Sequence, residues 1–450
     1  MKTQLIIPSL QQIVNFFREE TIDEIAKETG FSVRKRQLSA LVFLGLFTFG
    51  LIQKADSTLV QLVSLAKRIL PSLRITPQGL HKRINTKAVA FLKKMFAKSL
   101  TLTIDREENL VPLLSSFEKV QLLDSSQILL PQEVSHLFAG SGGSSSQAGA
   151  KIQLMIDYKT GNFSQLWLTD ASSSDQKQMP SALRQIQACE LWIFDLGYFS
   201  QEALATIDDN EAFFLCRLLI QTALYTLSES GEYKRIHLSE IQKPKSISQV
   251  LEVEIYLGAK AKVPCRLIIQ PIPEIEINKR KRKLKANAKK KGRTVSDKQL
   301  ALCAWSFYLT NVKKEMFPAH VVRQVYSLRW QIELVFKAIK SHLGFELILG
   351  KREERILSQL YGRLIVLVFS LFLTGQLSQQ LWRSHQRELS LLKSFAHLPV
   401  VAPQILAQLR HPMELLRTFF QVAEEMMTLC RMDKRKKRLS TAETLRAITV

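Results

Sequence analysis

The sequence predicts a mixed α/β fold in which a central sheet lies between two helical regions. Apolar residues recur at helical spacing over the first hundred residues and again from Ala319 almost to the end of the chain. Between these stretches, short apolar runs bounded by turn residues indicate strands, in the order strand, strand, strand, helix, strand, helix, strand. That order is typical of a mixed sheet. Because 450 residues are more than one core usually organises, we expect about two to four domains.

Helical segments fill residues 1–112, the first predicted region. One helix follows the N-cap candidate Thr58 and is interrupted at Pro71, and a second begins near Thr76, where Pro77 suits the first turn. Two short helices around a tight break resemble a DNA-binding helix-turn-helix, whose second helix would face DNA. The polar face of that second helix carries Gln78, His81, Lys82 and Arg83. The same face would suit a structural helical bundle, and both interpretations stay open.

Two predicted strands of the middle region end in an aspartate. Residues 119–124 (KVQLLD) end at Asp124, and residues 191–195 (LWIFD) end at Asp195. The other strands are predicted over residues 152–158, 163–169 and 213–219. Side chains at the carboxyl ends of neighbouring strands project into one crevice, so both carboxylates could bind one metal ion, and hard oxygen ligands suit Mg²⁺ or Mn²⁺. An aspartate that ends a strand is also a common turn initiator, and this simpler interpretation stays open for each residue alone.

The chain carries a large excess of positive charge, with 63 Lys and Arg residues against 40 Asp and Glu residues and a net charge of +23. Residues 219–304 are predicted as a β-rich insertion with a basic loop. That loop holds ten bases and no acid, namely Lys279, Arg280, Lys281, Arg282, Lys283, Lys285, Lys289, Lys290, Lys291 and Arg293. A second cluster at residues 431–438 predicts a basic tail. The excess indicates a polyanionic partner, either nucleic acid or an anionic membrane surface, although each cluster could be only a solvated segment.

Neither a membrane span nor an exported protein is expected. Apolar runs at residues 40–52 and 364–373 are shorter than the roughly 18 to 20 residues that cross a bilayer, so we predict buried helices there. The five cysteines lack the spacing of a metal site, and the N-terminus lacks the layout of a signal peptide. These observations predict a reduced, cytoplasmic location.

A polar ridge is predicted on a helix near residue 330. Four residues, at offsets of 0, 3, 7 and 14, fall within an arc of about 60° at about 100° per residue: Tyr326, Arg329, Glu333 and Lys340. Apolar residues occupy the neighbouring arc, so the helix can bury one side and present the ridge to a cleft. A solvated face with intrahelical ion pairs, such as Arg329 with Glu333, would produce the same pattern.

The spacing Tyr326-x2-Arg329-x3-Glu333-x6-Lys340 resembles the Tyr/Arg/Glu/Lys signature of IS4-type transposases. Three upstream segments strengthen the resemblance. The segment Asp195-Leu196-Gly197-Tyr198 is similar to the family's second-aspartate motif, although Leu196 stands where a charged residue is frequent. Asp124-Ser125-Ser126 lies where the first aspartate is expected, and residues 305–311 (WSFYLTN) resemble the strand before the signature.

The resemblance implies a ribonuclease-H-like catalytic domain over residues 113–345, interrupted by the β-rich insertion 219–304. Helical regions, residues 1–112 and residues 346–450, would flank it, the latter ending in the basic tail. The implied function is cut-and-paste transposition of an insertion sequence. The implied partners are double-stranded DNA, both terminal inverted repeats and target DNA, and a second copy of the chain in a paired-end complex, with no membrane.

Roles for single residues also follow from the resemblance. Asp124, Asp195 and Glu333 would form the catalytic triad and hold two Mg²⁺ or Mn²⁺ ions for in-line displacement at a DNA phosphodiester. The remaining ridge residues, Tyr326, Arg329 and Lys340, would contact DNA phosphates. Trp305 is a candidate for stacking on a flipped base, although a Trp in a buried strand would equally belong to the core. The basic run at residues 279–293 would contact phosphates without reading sequence.

Two alternatives use the same residues. A DNA-binding descendant of such an enzyme could act as an inactive regulator of transposition. It would not need the three carboxylates together with the two ridge cations, Arg329 and Lys340. A general nuclease with the same fold would keep the triad without accounting for the signature ridge or the basic run.

Overall fold

A ten-stranded mixed sheet forms the centre of the protein. The computed structural model describes residues 7–33, 37–102, 111–142, 147–241, 249–433 and 441–446. The strands are β1 (Lys119–Leu129), β2 (Gly149–Asp157), β3 (Phe163–Asp170), β4 (Glu190–Phe194), β5 (Phe213–Arg217), β6 (Leu224–Leu227), β7 (Tyr233–Ile236), β8 (Leu251–Leu257), β9 (Val263–Pro271) and β10 (Trp305–Thr310). Their order in the sheet is β3-β2-β1-β4-β5-β10-β9-β8-β6-β7.

Helices before and after the strands pack against each other. The helices are α1 (Ile7–Phe16), α2 (Glu19–Glu28), α3 (Ala40–Gly45), α4 (Leu51–Gln53), α5 (Leu59–Ile69), α6 (Pro77–Arg83), α7 (Thr86–Ser99), α8 (Met179–Ala182), α9 (Gln201–Asp209), α10 (Glu274–Lys290), α11 (Asp297–Leu302), α12 (Val322–Tyr326), α13 (Trp330–His342), α14 (Glu353–His385), α15 (Leu391–Gln408), α16 (Pro412–Leu429) and α17 (Thr441–Arg446). A π-helical turn joins α3 to α4. Helix α7 packs on α14 and α1 packs on α16, so the two helical regions share one hydrophobic core.

Strand directions place several strand ends at one edge of the sheet. β1 is parallel to β4, and β4 is parallel to β5, whereas β10 is antiparallel to β5 and β9. Helix α9 connects β4 to β5, as a crossover between parallel strands requires. The carboxyl ends of β4 and β5 and the amino end of β10 therefore meet at this edge, which we call the upper edge.

Most predicted strands are present, but β1 is longer than expected. The prediction that it ends at Asp124 is wrong, because the strand continues to Leu129. Ser125 and Ser126 pair with Gln153 and Ile152 of antiparallel β2, which supplies main-chain hydrogen-bonding partners beyond Asp124. Strand pairing therefore overrides the low strand propensity of this polar segment.

The region predicted as a β-rich insertion extends the central sheet. Strands β6 to β9 all join it beyond β10. The predicted basic loop is wrong, because residues 274–290 form helix α10. The run contains good helix formers and no Gly or Pro before Gly292, and Glu274 and Glu276 in its first turn complement the helix dipole. Of the predicted basic tail, residues 434–438 lie outside the described residues.

The two helices predicted as a helix-turn-helix begin as expected. Thr58 caps α5 through a capping box, and Thr76 caps α6 with Pro77 in its first turn. The predicted DNA-facing side of α6 is only partly presented, because Arg83 is buried and its guanidinium lies 3.8 Å from the centre of the Phe31 ring. Arg83 therefore packs in the helical core, which corrects its predicted place on an exposed polar face.

Helix α14 contains the apolar run predicted as a buried helix. With 33 residues it is longer than that run and, by length and composition only, long enough to cross a membrane. In its most apolar stretch, however, 94% of the residues lie buried inside the protein. The burial supports the prediction of a core helix.

A glycine allows α14 to approach the π-helical turn closely. A Cβ atom at Gly362 would overlap the carbonyl oxygen of Phe47. We expect Gly362→Ala to lower the free energy of unfolding by about 1–3 kcal/mol, because both backbones would have to separate. Gly375→Ala in the same helix is the control. Gly375 lines a cavity of about 250 Å³, so the added methyl group should be neutral or stabilising by about 1 kcal/mol. Equal melting temperatures for the two variants would contradict the close approach.

Candidate active site

Asp124 and Asp195 lie side by side at the upper edge of the sheet. In the parallel pair of β1 and β4, Leu123 is opposite Phe194. The residue that follows each of them is an aspartate, so Asp124 lies beside Asp195. Asp195 directly follows β4 and precedes a short 3₁₀ turn at Leu196–Tyr198. Two carboxylates that are 71 residues apart in sequence are thus neighbours in space.

Arg329 links Glu333 to Asp124, and Tyr326 contacts Asp195. The Arg329 guanidinium donates from Nη1 to Asp124 Oδ2 at 3.2 Å and contacts Glu333 Oε1 from Nη2 at 2.5 Å. The Tyr326 hydroxyl donates to Asp195 Oδ1 at 3.4 Å. Two residues of the predicted ridge, Tyr326 and Arg329, therefore contact the aspartates, and Arg329 also contacts Glu333. The predicted single helix is divided into α12, a 3₁₀ turn at Ser327–Arg329, and α13.

Burial and charge make Asp124 an unusual carboxylate. Burial raises its pKa to about 6, a rise to which the nearby Asp195 and Glu333 carboxylates add. The Ser125 main-chain N–H, 2.8 Å from Asp124 Oδ1, and the Arg329 guanidinium oppose that rise. Burial also raises the pKa of the Tyr326 hydroxyl, which keeps it a neutral donor. The site therefore concentrates negative charge that Arg329 neutralises only in part.

An open cleft of about 360 Å³ lies over these side chains. Its lining consists of Asp124, Ser125, Ser126, Asp195, Arg329, Glu333, Phe336, Lys337 and Lys340. Lys337 was not among the residues predicted from sequence, although it lies four residues after Glu333 and hence on the same side of α13. The cleft thus has an acidic floor and a lysine-lined wall, which suits an anionic ligand that is held by a cation.

The donor set fits a hard divalent cation. Carboxylate oxygens are the ligands that Mg²⁺ and Mn²⁺ prefer, and Asp195 and Glu333 place further negative charge near Asp124 that such an ion would neutralise. Within the described ranges, no group of three acidic, His or Cys side chains is already arranged around one point. The Arg329 guanidinium lies between Asp124 and Glu333. Binding an ion to both carboxylates would require Arg329 to move.

Two residues predicted to bind DNA make contacts within the protein: Trp305 is buried and Arg280 is half-buried. Trp305 is 3% exposed and packs in the core of the sheet, so it has no free face for a flipped base. Arg280 donates to the Trp305 carbonyl at 2.8 Å and to Ser306 Oγ at 3.0 Å, and therefore anchors α10 to β10. Neither placement favours contact with DNA, and the stacking role of Trp305 and the phosphate contact of Arg280 stay predictions.

The other Lys and Arg side chains of α10 are mostly exposed to solvent. None of the helix's residues is buried, and its exposed bases include Lys279, Arg282, Lys283, Lys289, Lys290 and the following Lys291, whereas Lys281 is half-buried. Lys279 pairs with Glu276 at 2.7 Å. The anchor at Arg280 contacts the amino end of β10, at the upper edge. Pro271 at the end of β9 pairs with Trp305 at the start of β10, so α10, which follows β9, also begins at the upper edge.

Comparison with known proteins identifies similar sequences over most of the chain. Residues 115–369 match the family model described as "Transposase DDE domain". The chain is 29% identical to the transposase for insertion sequence element IS231F of Bacillus thuringiensis subsp. israelensis, over 86% of this chain and 84% of that protein.

Two further comparisons have similar coverage. The chain is 30% identical to the transposase for IS231C of Bacillus thuringiensis subsp. berliner, over 86% of this chain and 85% of that protein. A solved structure of the piggyBac transposase synaptic complex with hairpin DNA is 10% identical and covers 95% of this chain and 86% of its own. Its TM-score of 0.40 is too low to establish a shared fold.

Proposed function

The chain belongs to the DDE transposase family, and we propose that it cuts and joins the ends of an insertion sequence with the carboxylates of Asp124, Asp195 and Glu333. It is an enzyme that acts on DNA, and members of the family depend on divalent metal ions. One observation carries the assignment of the triad. The parallel pairing of β1 and β4 makes Asp124 and Asp195 neighbours, and Arg329 joins Asp124 to Glu333.

The three carboxylates would hold the metal, which we propose to be two Mg²⁺ or Mn²⁺ ions. The ions would neutralise charge on the phosphodiester and stabilise the attacking and leaving oxygens of an in-line displacement. The ridge residues have separate tasks. Arg329, once released from the carboxylates, would donate a fork of N–H groups to a phosphate, and Lys340 with Lys337 would add charge along the cleft wall. Tyr326 would orient Asp195 through its hydroxyl.

We propose double-stranded DNA as the partner, both element ends and target. The exposed Lys and Arg side chains of α10 would bind phosphates of the DNA that leads into the cleft, because the helix is anchored at the upper edge. A homodimer would hold the two ends in one complex. A cytoplasmic location at the nucleoid would follow from this function.

The domain division remains part of the proposal. A ribonuclease-H-like catalytic domain would occupy residues 113–345, with residues 219–304 as its insertion. Residues 1–112 and 346–450 would form helical regions on either side. The packing of α7 on α14 favours one combined helical unit, so residues 346–450 are not free to serve only as a dimer contact.

The function is tested by incubating the full chain with labelled DNA that carries the terminal repeats of its own element. We expect nicked and joined products with Mg²⁺ or Mn²⁺ and none with excess EDTA, because the carboxylates need the ion to approach a phosphate. End binding without nicking at any metal concentration would instead identify an inactive DNA-binding regulator. Cleavage of unrelated DNA at the same rate would identify a general nuclease.

A further inference from the structure

A partly buried polar network lies behind the two aspartates of the site. Its centre is Asp175, in the 3₁₀ turn Asp175–Gln178 that follows β3. Three side chains donate to Asp175 Oδ1: Ser125 Oγ at 2.9 Å, Lys151 Nζ at 3.1 Å and Gln153 Nε2 at 3.2 Å. Hydrogen bonds to an ionised carboxylate are stronger than neutral ones, so this junction holds β1, β2 and the turn together.

Residues that follow each catalytic aspartate enter this network. Ser125 is the residue after Asp124 and donates to Asp175 directly. Tyr198, three residues after Asp195, is 1% exposed and donates from its hydroxyl to Oε1 of the fully buried Gln153. Both motifs that carry the aspartates are therefore tied to the same pair of side chains, Asp175 and Gln153.

Gly197 brings the second motif against Asp175. A Cβ atom at this position would lie 3.2 Å from Asp175 Oδ2, which is tighter than ordinary van der Waals contact. A glycine allows the turn after Asp195 to pack directly on the carboxylate. Burial raises the pKa of the Tyr198 hydroxyl, which therefore remains a neutral donor to the network.

Most of the network lies on the opposite face of the sheet from the Asp124 carboxylate, and of its residues only Ser125 also lines the cleft. Successive side chains of a strand point to opposite faces, so Ser125 points away from the face that carries the Asp124 carboxylate. Ser125 pairs with Gln153 across β1 and β2, and Lys151 lies two residues away on the same face. Asp175 is absent from the cleft lining, so it can act on the site only through the residues it holds.

We infer that Asp175, together with Gln153, is a positioning residue that sets the placement of Asp124 relative to Asp195. This inference rests on the proposed function, because it assigns the two aspartates to one metal site. The carboxylates must be held within about 0.5 Å of the productive geometry, and outer hydrogen bonds to metal ligands typically contribute 10- to 100-fold to metal affinity. The network supplies such support to both aspartates at once.

The test is titration of the full chain with Mn²⁺ alone, followed by the electron paramagnetic resonance signal of the free ion. Asp175→Asn keeps the side-chain shape but removes the charge, and we expect Mn²⁺ affinity to fall by about 10- to 100-fold. Tyr198→Phe removes only the hydroxyl and should cause a smaller loss. It also keeps the inference testable if Asp175→Asn fails to fold.

Asp157→Asn is the matched control. Asp157 is a buried aspartate at the carboxyl end of β2, away from Asp175, where it accepts from the Val120 and Lys159 main-chain N–H groups at 3.0 Å. Its loss should lower thermal stability without changing Mn²⁺ affinity. Equal weakening by Asp157→Asn, or affinity of Asp175→Asn within threefold of wild type, would overturn the positioning role.

Asp195→Asn separates this inference from the proposed function. Unchanged Mn²⁺ affinity in Asp195→Asn would refute the proposed metal site and, with it, the positioning role. A large loss in Asp195→Asn with none in Asp175→Asn or Tyr198→Phe would leave the proposed function standing and refute only the positioning role.

Discussion

Asp195→Asn should lower the rate of strand cleavage at an element end by on the order of 10³-fold and leave the affinity for end DNA within about threefold of wild type. The amide keeps the shape and the hydrogen bond from Tyr326 but loses the charge that the metal needs. Glu333→Gln should have an effect of the same order, since Glu333 supplies another carboxylate of the proposed triad. Both rates are measured in single turnover with labelled end DNA.

Non-additivity provides a second readout for the same residues. Because the carboxylates would act as one unit, the double variant Asp195→Asn/Glu333→Gln should cleave DNA little more slowly than either single variant. Asp209→Asn is the control. Asp209 is exposed in the last turn of α9, which returns the chain toward the start of β5 and thus away from the upper edge. Cleavage by Asp195→Asn at the wild-type rate would remove Asp195 from the triad.

The double substitution Lys289→Gln/Lys290→Gln should weaken binding of end DNA by about 10- to 30-fold near physiological salt. Each lysine that contacts a phosphate releases about one counterion, so the slope of log affinity against log salt should become shallower by about 2. The loss should be the same for unrelated DNA, because phosphate contacts carry no sequence information. Fluorescence anisotropy at several salt concentrations measures both quantities.

The double substitution Lys313→Gln/Lys314→Gln is the control, because it removes the same amount of charge at a site distant from α10. These exposed lysines follow the carboxyl end of β10, at the edge of the sheet opposite the cleft. We expect no change in the salt slope for this pair. An equal change for both pairs would mean that α10 contributes only to bulk charge and does not form part of a DNA path.

The sequence could predict the polar ridge, but it could not predict that Asp124 and Asp195 are neighbours. The spacing of Tyr326, Arg329 and Glu333 depends only on helical geometry, and the three side chains do reach one site despite the 3₁₀ turn between α12 and α13. That Asp124 is beside Asp195 required β1 to pair with β4 in one register. A one-residue shift in register would have turned one carboxylate to the other face.

The contacts that charged and aromatic residues make within the protein were the least predictable feature. Arg83 and Arg280 look like surface cations in the sequence, yet one packs on Phe31 and the other donates to β10. Trp305 is in the core. Asp175 has no apolar run before it and no motif around it, so no sequence signal pointed to its role behind the site.

Sequence alone determined the local features of this protein: the mixed α/β class, the starts of α5 and α6, the charge of the 279–293 run and the polar ridge. These depend on interactions between residues a few positions apart, and on motifs that are contiguous in the chain. Tertiary structure decided that β1 extends past Asp124, that α10 is a helix anchored at the upper edge, and that Ser125 and Tyr198 share one network. Those features depend on hydrogen bonds and buried surface supplied by segments that are distant in sequence. The free energy of these interactions is gained only once the sheet has formed.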